Sequence, residues 1–247
     1  MPILHSSGGL LYHLRAWRYR RGLWEPFLDQ VRRWLTDWRP ETRHLVLVGP
    51  SGGYALTRQF LERFPHITVL EPDPLARHLL GRRFPDVPFR HDRAPWLAGA
   101  EGFRRLAGAY PDAAFLFCNL LGQRPVGAPR GFDHRAWLDG LAPGLAGRAW
   151  ASWHDLASTA TPPDWTGWVA RPRAEPLEQV MGRFWHRDGL EVEDHECDGL
   201  CPALPREYTV WPLRRRSFHL VEWLRDEAST AAGAPRAVSD ASDTATA

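Results

Sequence analysis

Between residues 44 and 157 one pattern repeats: a short apolar run, then a stretch of helical period, then another apolar run. The segments "HLVLVG" (44–49), "ITVLEPD" (67–73), "VPFRHD" (87–92), "AAFLFCNLLG" (113–122) and "AWASWHDLA" (149–157) read as strands. Residues 54–64, 74–84, part of 94–109 and 132–147 read as the helices between them. Strands separated by helices pair in parallel, and the helices cover both faces of the sheet.

The flanks differ from this middle. From Leu10 to Trp38 apolar residues recur at three- and four-residue spacing, the period of one helical face. Pro26 suits the start of a second helix, where its missing N–H is harmless, and Pro40 stops it. Residues 1–40 are therefore expected to form a helical cap, 41–228 the sheet domain, and 229–247, which lack bulky residues, a disordered tail. Near the C-terminal end, 175–187 reads as a helix. "LEVEDHECD" (190–198) and "REYTVWPL" (206–213) read as two strands whose short linker demands antiparallel pairing. Residues 217–228 read as a short closing helix or a strand extension.

The first apolar run leads into Gly49-Pro50-Ser51-Gly52-Gly53-Tyr54. Small residues let a backbone approach a ligand, and a following helix start offers free N–H groups. The next strand ends on Glu71, where a carboxylate can accept from both hydroxyls of a ribose. Counted from Gly49, the G-x-G-x-x-G dinucleotide fingerprint requires glycine where Ser51 and Tyr54 stand. A phosphate-binding Walker loop requires lysine, and all 31 basic residues are arginine.

With these motifs in place, the chain resembles the class I S-adenosylmethionine-dependent methyltransferases over roughly residues 20–220. The similarity rests on "LVLVGPSGGY", on "TVLEPDP" with its acid, on "FRHD" after the third strand and on "FLFCNLLGQ" after the fourth. It implies a Rossmann-like α/β fold, a seven-stranded and mostly parallel sheet closed by a C-terminal antiparallel hairpin, with S-adenosylmethionine as cofactor. It also implies that Gly49, Ser51 and Gly53 line the methionine part and that Glu71 takes the ribose hydroxyls. Pro72 and Asp73 would edge the adenine, Asp92 would bond its amino group, and Asn119 and Leu120 would border the methyl donor. The family pattern G-x-G-x-G has Ser51 at its middle glycine.

Methyl transfer from a sulfonium is an in-line displacement in which alignment supplies much of the acceleration. A base is needed only where the acceptor must lose a proton. The candidates are Asn119, after the fourth strand, and His154 and Asp155, near the end of the fifth. His195, Cys197 and Cys201, even with His186, lack the spacing of a standard zinc site and are read as structural, so no metal is expected. The arginine–aromatic stretch at 13–21 would suit nucleic acid, but reads better as a helix with a solvated basic face. "RRR" (214–216) reads as a solvated edge that would also suit an anionic substrate. A small-molecule acceptor is expected.

Three cysteines in 247 residues make no disulfide framework, no apolar run is long enough for a membrane, and the basic residues near the start follow an apolar patch. Together with the all-arginine usage, these features lead to the expectation of a bacterial cytoplasmic protein. Two rivals to a methyltransferase are a non-catalytic binding or regulatory protein of the same fold and an NAD(P)-dependent oxidoreductase.

Overall fold

The computed structural model describes residues 9–97, 99, 101–123 and 131–227. In chain order they form α1 (Gly9–Tyr19), α2 (Glu25–Asp37), β1 (His44–Val48), α3 (Arg58–Leu61), β2 (His66–Leu70), α4 (Pro74–Arg83), β3 (Phe89–His91) and α5 (Gly102–Ala109). Then follow β4 (Ala113–Cys118), α6 (His134–Leu145), β5 (Ala149–Thr159), β6 (Val169–Arg171), α7 (Leu177–Met181), β7 (Glu193–Asp194), β8 (Arg206–Arg214) and β9 (Ser217–Glu227). The strands make one sheet in the order β3-β2-β1-β4-β5-β9-β8-β6, with β7 beside β5. β3, β2, β1, β4 and β5 run parallel, while β9 is antiparallel to both β5 and β8.

The continuous apolar runs are explained by burial on both faces. Leu45 and Leu47 of β1, with Ala114, Leu116 and Cys118 of β4, point into a core that also takes buried residues of α2, α3 and α4. Their neighbours Val46, Val48, Phe115 and Phe117 point into a second core beneath α5, α6 and α7. This is the strand signature of a sheet covered by helices on both sides.

The tryptophans fasten α2 to the antiparallel end of the sheet. Phe27 stacks on Trp211 at 4.7 Å, Trp34 meets Trp223 edge-on at 5.3 Å, and Trp24 donates its indole N–H to the Leu213 carbonyl at 3.0 Å. Such pairs add to area burial. No helix of the described residues is long and apolar enough to cross a membrane.

Several elements differ from the sequence reading. The helix expected over 54–64 is only Arg58–Leu61, because the turns of the glycine loop run on to Thr57, whose hydroxyl accepts from Phe60 N–H at 3.1 Å. The helix expected over 175–187 shrinks to Leu177–Met181, while the helix expected in part of 94–109 is Gly102–Ala109. The strand expected over 190–198 is reduced to Glu193–Asp194. There Asp194 accepts from Glu196 N–H at 2.8 Å and Glu196 adopts φ +55°, so the chain turns away. The closing hairpin is accordingly β8 with β9, and 217–227 is a full strand. The expected tail, 229–247, lies outside the described residues.

Candidate functional site

β1 is flanked by β2 on one side and β4 on the other, so the chain reverses direction across the sheet at its C-terminal end. Ligands of open α/β sheets bind in the crevice at such a switch point. Gly49, Ser51 and Gly53 all take left-handed backbone angles, at φ +66°, +51° and +67°. At Gly53 a Cβ would lie 2.6 Å from Leu80 Cδ1, and at Gly49 it would lie 3.2 Å from Leu120 Cδ1. Both positions therefore favour glycine on sterics as well as on φ. Ser51 holds the same conformation at a modest cost in strain.

Glu71 links this loop to β2. It is buried at 8% exposure, its Oε2 accepts Ser51 N–H at 2.8 Å, and its Oε1 accepts Asp73 N–H at 3.0 Å. Burial pushes its carboxyl above the ordinary value, and the two N–H donors offset this only in part. Each oxygen retains a second lone pair. Asp73 caps α4 by accepting from Leu75 N–H at 2.8 Å, and its other oxygen lies 3.4 Å from His13 Nε2 of α1. Pro72 stands between them, its carbonyl accepting from Arg77 at 3.0 Å.

α1 closes the crevice. His13 Nδ1 is 2.8 Å from Tyr54 Oη, and Arg83 lies over the Tyr54 ring at 4.8 Å. The cleft bounded by Tyr12, Gly49, Ser51, Tyr54, Asn119 and Trp211 is left with about 40 Å³. That is room for little more than a water molecule.

The remaining sequence candidates divide. Asn119, at φ +52°, donates Nδ2–H to Asp155 Oδ2 at 3.3 Å and accepts Asp155 N–H at 3.1 Å, so β4 and β5 present these two residues together. Leu120 packs on Gly49. Asp92 is engaged internally, accepting from Ala94 N–H (2.9 Å), the Trp96 indole (2.7 Å) and the Tyr110 hydroxyl (2.7 Å). Burial alone would raise its carboxyl, but these donors hold it below the ordinary value.

His154 does not reach the crevice. It alternates with Asp155 onto the opposite face of β5, fully buried, with Nε2 3.4 Å from Glu222 and Nδ1 3.0 Å from Ser152 Oγ. Glu222 is paired in turn with Arg206 at 2.8 Å, so this is a structural ion cluster under the second core. His195, Cys197 and Cys201 do not converge. Cys197 donates to the Asp155 carbonyl at 3.0 Å, and no group of three or more His, Cys, Asp or Glu among the described residues is placed to hold a metal ion.

The residue missed by sequence reasoning is His219 on β9. Its Nδ1 lies 3.1 Å from Asp155 Oδ2 and its Nε2 3.2 Å from Ser217 Oγ. The alternation in "SFHLVEWL" was its only local signal, because its partner lies far back in the chain.

No protein-family model and no curated protein matches the chain. Several solved structures are similar to it at low identity. The DhpI complex with S-adenosylhomocysteine is 14% identical, with 85% of this chain and 92% of that one covered at a TM-score of 0.37. CalS10, an amino pentose methyltransferase from Micromonospora echinaspora with bound S-adenosylmethionine, is 18% identical, with 90% and 85% covered at 0.36. An alcohol dehydrogenase structure from Rhodobacter sphaeroides is 17% identical, with 52% and 46% covered at 0.35. At such TM-scores overall likeness does not separate methyl transfer from hydride transfer.

Proposed function

We propose that the chain is an S-adenosylmethionine-dependent methyltransferase acting on a small-molecule acceptor. The observation that carries this reading is the left-handed loop Gly49–Ser51–Gly53 tied to the buried Glu71 carboxylate at the switch point of the sheet. Loop and acid fit adjoining parts of the cofactor, the loop its methionine part and Glu71 its ribose. Gly49 and Gly53 let the loop pack closely on Leu120, Leu80 and Phe84 in its left-handed conformation, and the remaining lone pairs of Glu71 suit ribose hydroxyls. The antiparallel β9 inserted between β5 and β8 is foreign to the all-parallel 3-2-1-4-5-6 order of dinucleotide-binding domains. This argues against a nicotinamide cofactor.

When bound, the cofactor supplies an activated methyl group. The chain's own contribution is to hold the adenosyl group against the loop, with Asn119 and Asp155 at the acceptor side. Because the cleft has only about 40 Å³, binding requires Tyr12 and Tyr54 to swing out of it. Asp92 keeps its place as the organiser of the turn after β3, and reaches an adenine only through a lone pair that its three donors leave over.

Isothermal calorimetry with S-adenosylhomocysteine tests the reading. Micromolar binding by the wild type and loss of at least about tenfold in Glu71→Ala are expected, since a charge-assisted hydrogen bond contributes about 1.5–3 kcal/mol. No wild-type binding at high micromolar ligand, or binding of a nicotinamide dinucleotide instead, would overturn it.

A further inference from the structure

The β5–β9 ladder shifts register between Asp155 and Ala157, so Asp155 lies opposite Val221 while Ser158 lies opposite His219. The bulge puts Asp155 and Ser158, three residues apart, on one face of the sheet with His219. Trp211, opposite His219 on β8, also lines the cofactor cleft. His219 is thus paired with a residue of that cleft, Trp211, and lies two residues along β9 from Ser217, which lines an open groove of about 370 Å³ together with Ser158, Glu191, Glu193, Arg214 and Arg216.

Around His219 the groups are ordered. Asp155 is 4% exposed, and its Oδ2 lies 3.1 Å from His219 Nδ1, an ion-pair distance without the alignment of a good hydrogen bond. Asp155 Oδ1 is buried with no hydrogen-bond partner. On the other side, Nε2 meets the Ser217 hydroxyl, which opens on the groove. The charged or titratable groups facing His219 are Asp155 from β5 and His195 from the segment after β7, whose ring lies 6.0 Å away. A carboxylate this close to Nδ1 favours the proton on that nitrogen electrostatically and leaves Nε2 to accept one.

We propose that His219 is the general base for a hydroxyl acceptor seated in this groove, with Asp155 as its positioning residue. The inference rests on the methyl-transfer reading above. The acceptor oxygen bonds to the methyl carbon as the carbon–sulfur bond breaks, and that bonding pair stays on sulfur. The hydroxyl proton passes to Nε2 and from there to solvent in the groove. The hydroxyl of Ser217 at 3.2 Å marks the place on Nε2 that the acceptor hydroxyl takes. Arg214 and Arg216 offer donors to a carboxylate on the acceptor, beside Glu191 and Glu193 of the same lining.

Two measurements on the full chain test this. Nitrogen-15 NMR of the imidazoles, without cofactor, is expected to show neutral His219 as the Nδ1–H tautomer, with the Nε2–H form gaining in Asp155→Asn. The opposite tautomer in the wild type, or a tautomer ratio that does not move in the variant, overturns the proposal. The second measurement compares methylation of 4-hydroxybenzoate and 4-hydroxy-3-nitrobenzoate at a pH where only the second is already phenolate. His219→Asn should slow the first by about 100-fold or more and leave the second within about threefold, because only the first needs a base. Equal losses, or no loss, overturn it. His219→Gln is a parallel variant, with S-adenosylhomocysteine binding as the check on folding. If neither variant folds, the imidazole tautomer in the wild type and in Asp155→Asn decides. A wild type that binds S-adenosylhomocysteine but methylates neither probe overturns this proposal and leaves the cofactor reading standing. Absence of that binding overturns both.

Discussion

Arg206→Met is expected to be among the most damaging single changes away from the crevice. Arg206 and Glu222 are each 1% exposed and paired at 2.8 Å. Arg206 also donates to the carbonyls of Leu200 (3.1 Å) and Cys201 (2.8 Å), which pins the loop ahead of β8. The variant leaves Glu222 as a buried charge with no cationic partner but His154, and it removes the Arg206 donors from the Leu200, Cys201 and Leu204 carbonyls. Removing one partner of a buried pair costs about 3–5 kcal/mol. Taking about 4 kcal/mol, and about 2–4 °C per kcal/mol for a chain of this size, the melting temperature should fall by about 8–16 °C. Thermal unfolding followed by tryptophan fluorescence measures the fall, and urea unfolding the free energy. Arg206→Met/Glu222→Met should be more stable than Arg206→Met alone, because the charge leaves with its partner. A double variant no better than the single, or a single variant costing less than about 1 kcal/mol, would refute the argument that the charge dominates.

The same cluster fixes the sign of an acid effect. Burial alone would raise the Glu222 carboxyl, but His154 and Arg206 outweigh it and hold the group below its ordinary 4.5. Its contribution is therefore complete above 4.5 and lost as pH falls through the folded value, so acid unfolding should be blunted in Glu222→Gln relative to the pH 7 stability of each protein. Glu71 shifts the opposite way, so S-adenosylhomocysteine affinity measured by calorimetry should begin to fall at a pH above the ordinary 4.5, earlier than an exposed carboxylate would cause. Ser51→Gly should keep both fold and affinity, while Ser51→Val, a branched side chain at φ +51°, should lose about 1–3 kcal/mol in urea unfolding. Gly122→Ala would put a Cβ 2.0 Å from the Asp155 carbonyl, and should shift the Asp155 and His219 resonances even where the variant folds.

Most of the parallel strands could be read from the chain because burial on both faces writes a nearly continuous apolar run into β1, β2 and β4, and no register is needed to see it. The loop and its acid were legible for a similar reason. Gly49, Ser51, Gly53 and Glu71 are ordered by one βαβ unit, so spacing along the chain maps directly onto spacing in the fold. The antiparallel end was harder. Residues 190–198 carry a strand's alternation, yet the turn that Asp194 makes with Glu196 N–H leaves only two residues to pair with β5. Residues 217–227 carry the pattern as well, but the short linker between 190–198 and 206–213 points to those two as partners, and only the pairing of 206–214 with 217–224 shows otherwise.

His154, Asp155 and His219 show how register decides chemistry where residue type does not. In the sequence, His154 and Asp155 are adjacent polar residues near the end of one strand, and either could face the crevice. Pairing with β9 sets Trp153 opposite Trp223 and His154 opposite Glu222, which sends His154 into the ion cluster on the far face. The bulge after Asp155 then restarts the alternation one residue out of phase and brings Ser158 to the crevice face as well. That bulge is clamped by Gly122, by Cys197 donating to the Asp155 carbonyl, and by His195 N–H donating to the Leu156 carbonyl at 2.9 Å. The imidazole beside Asp155 therefore comes from a strand more than sixty residues later, and the one adjacent in sequence is turned away. A histidine next to an aspartate in a chain is evidence about chemistry only once the strand that pairs with it, and the residue at which that pairing slips, are known.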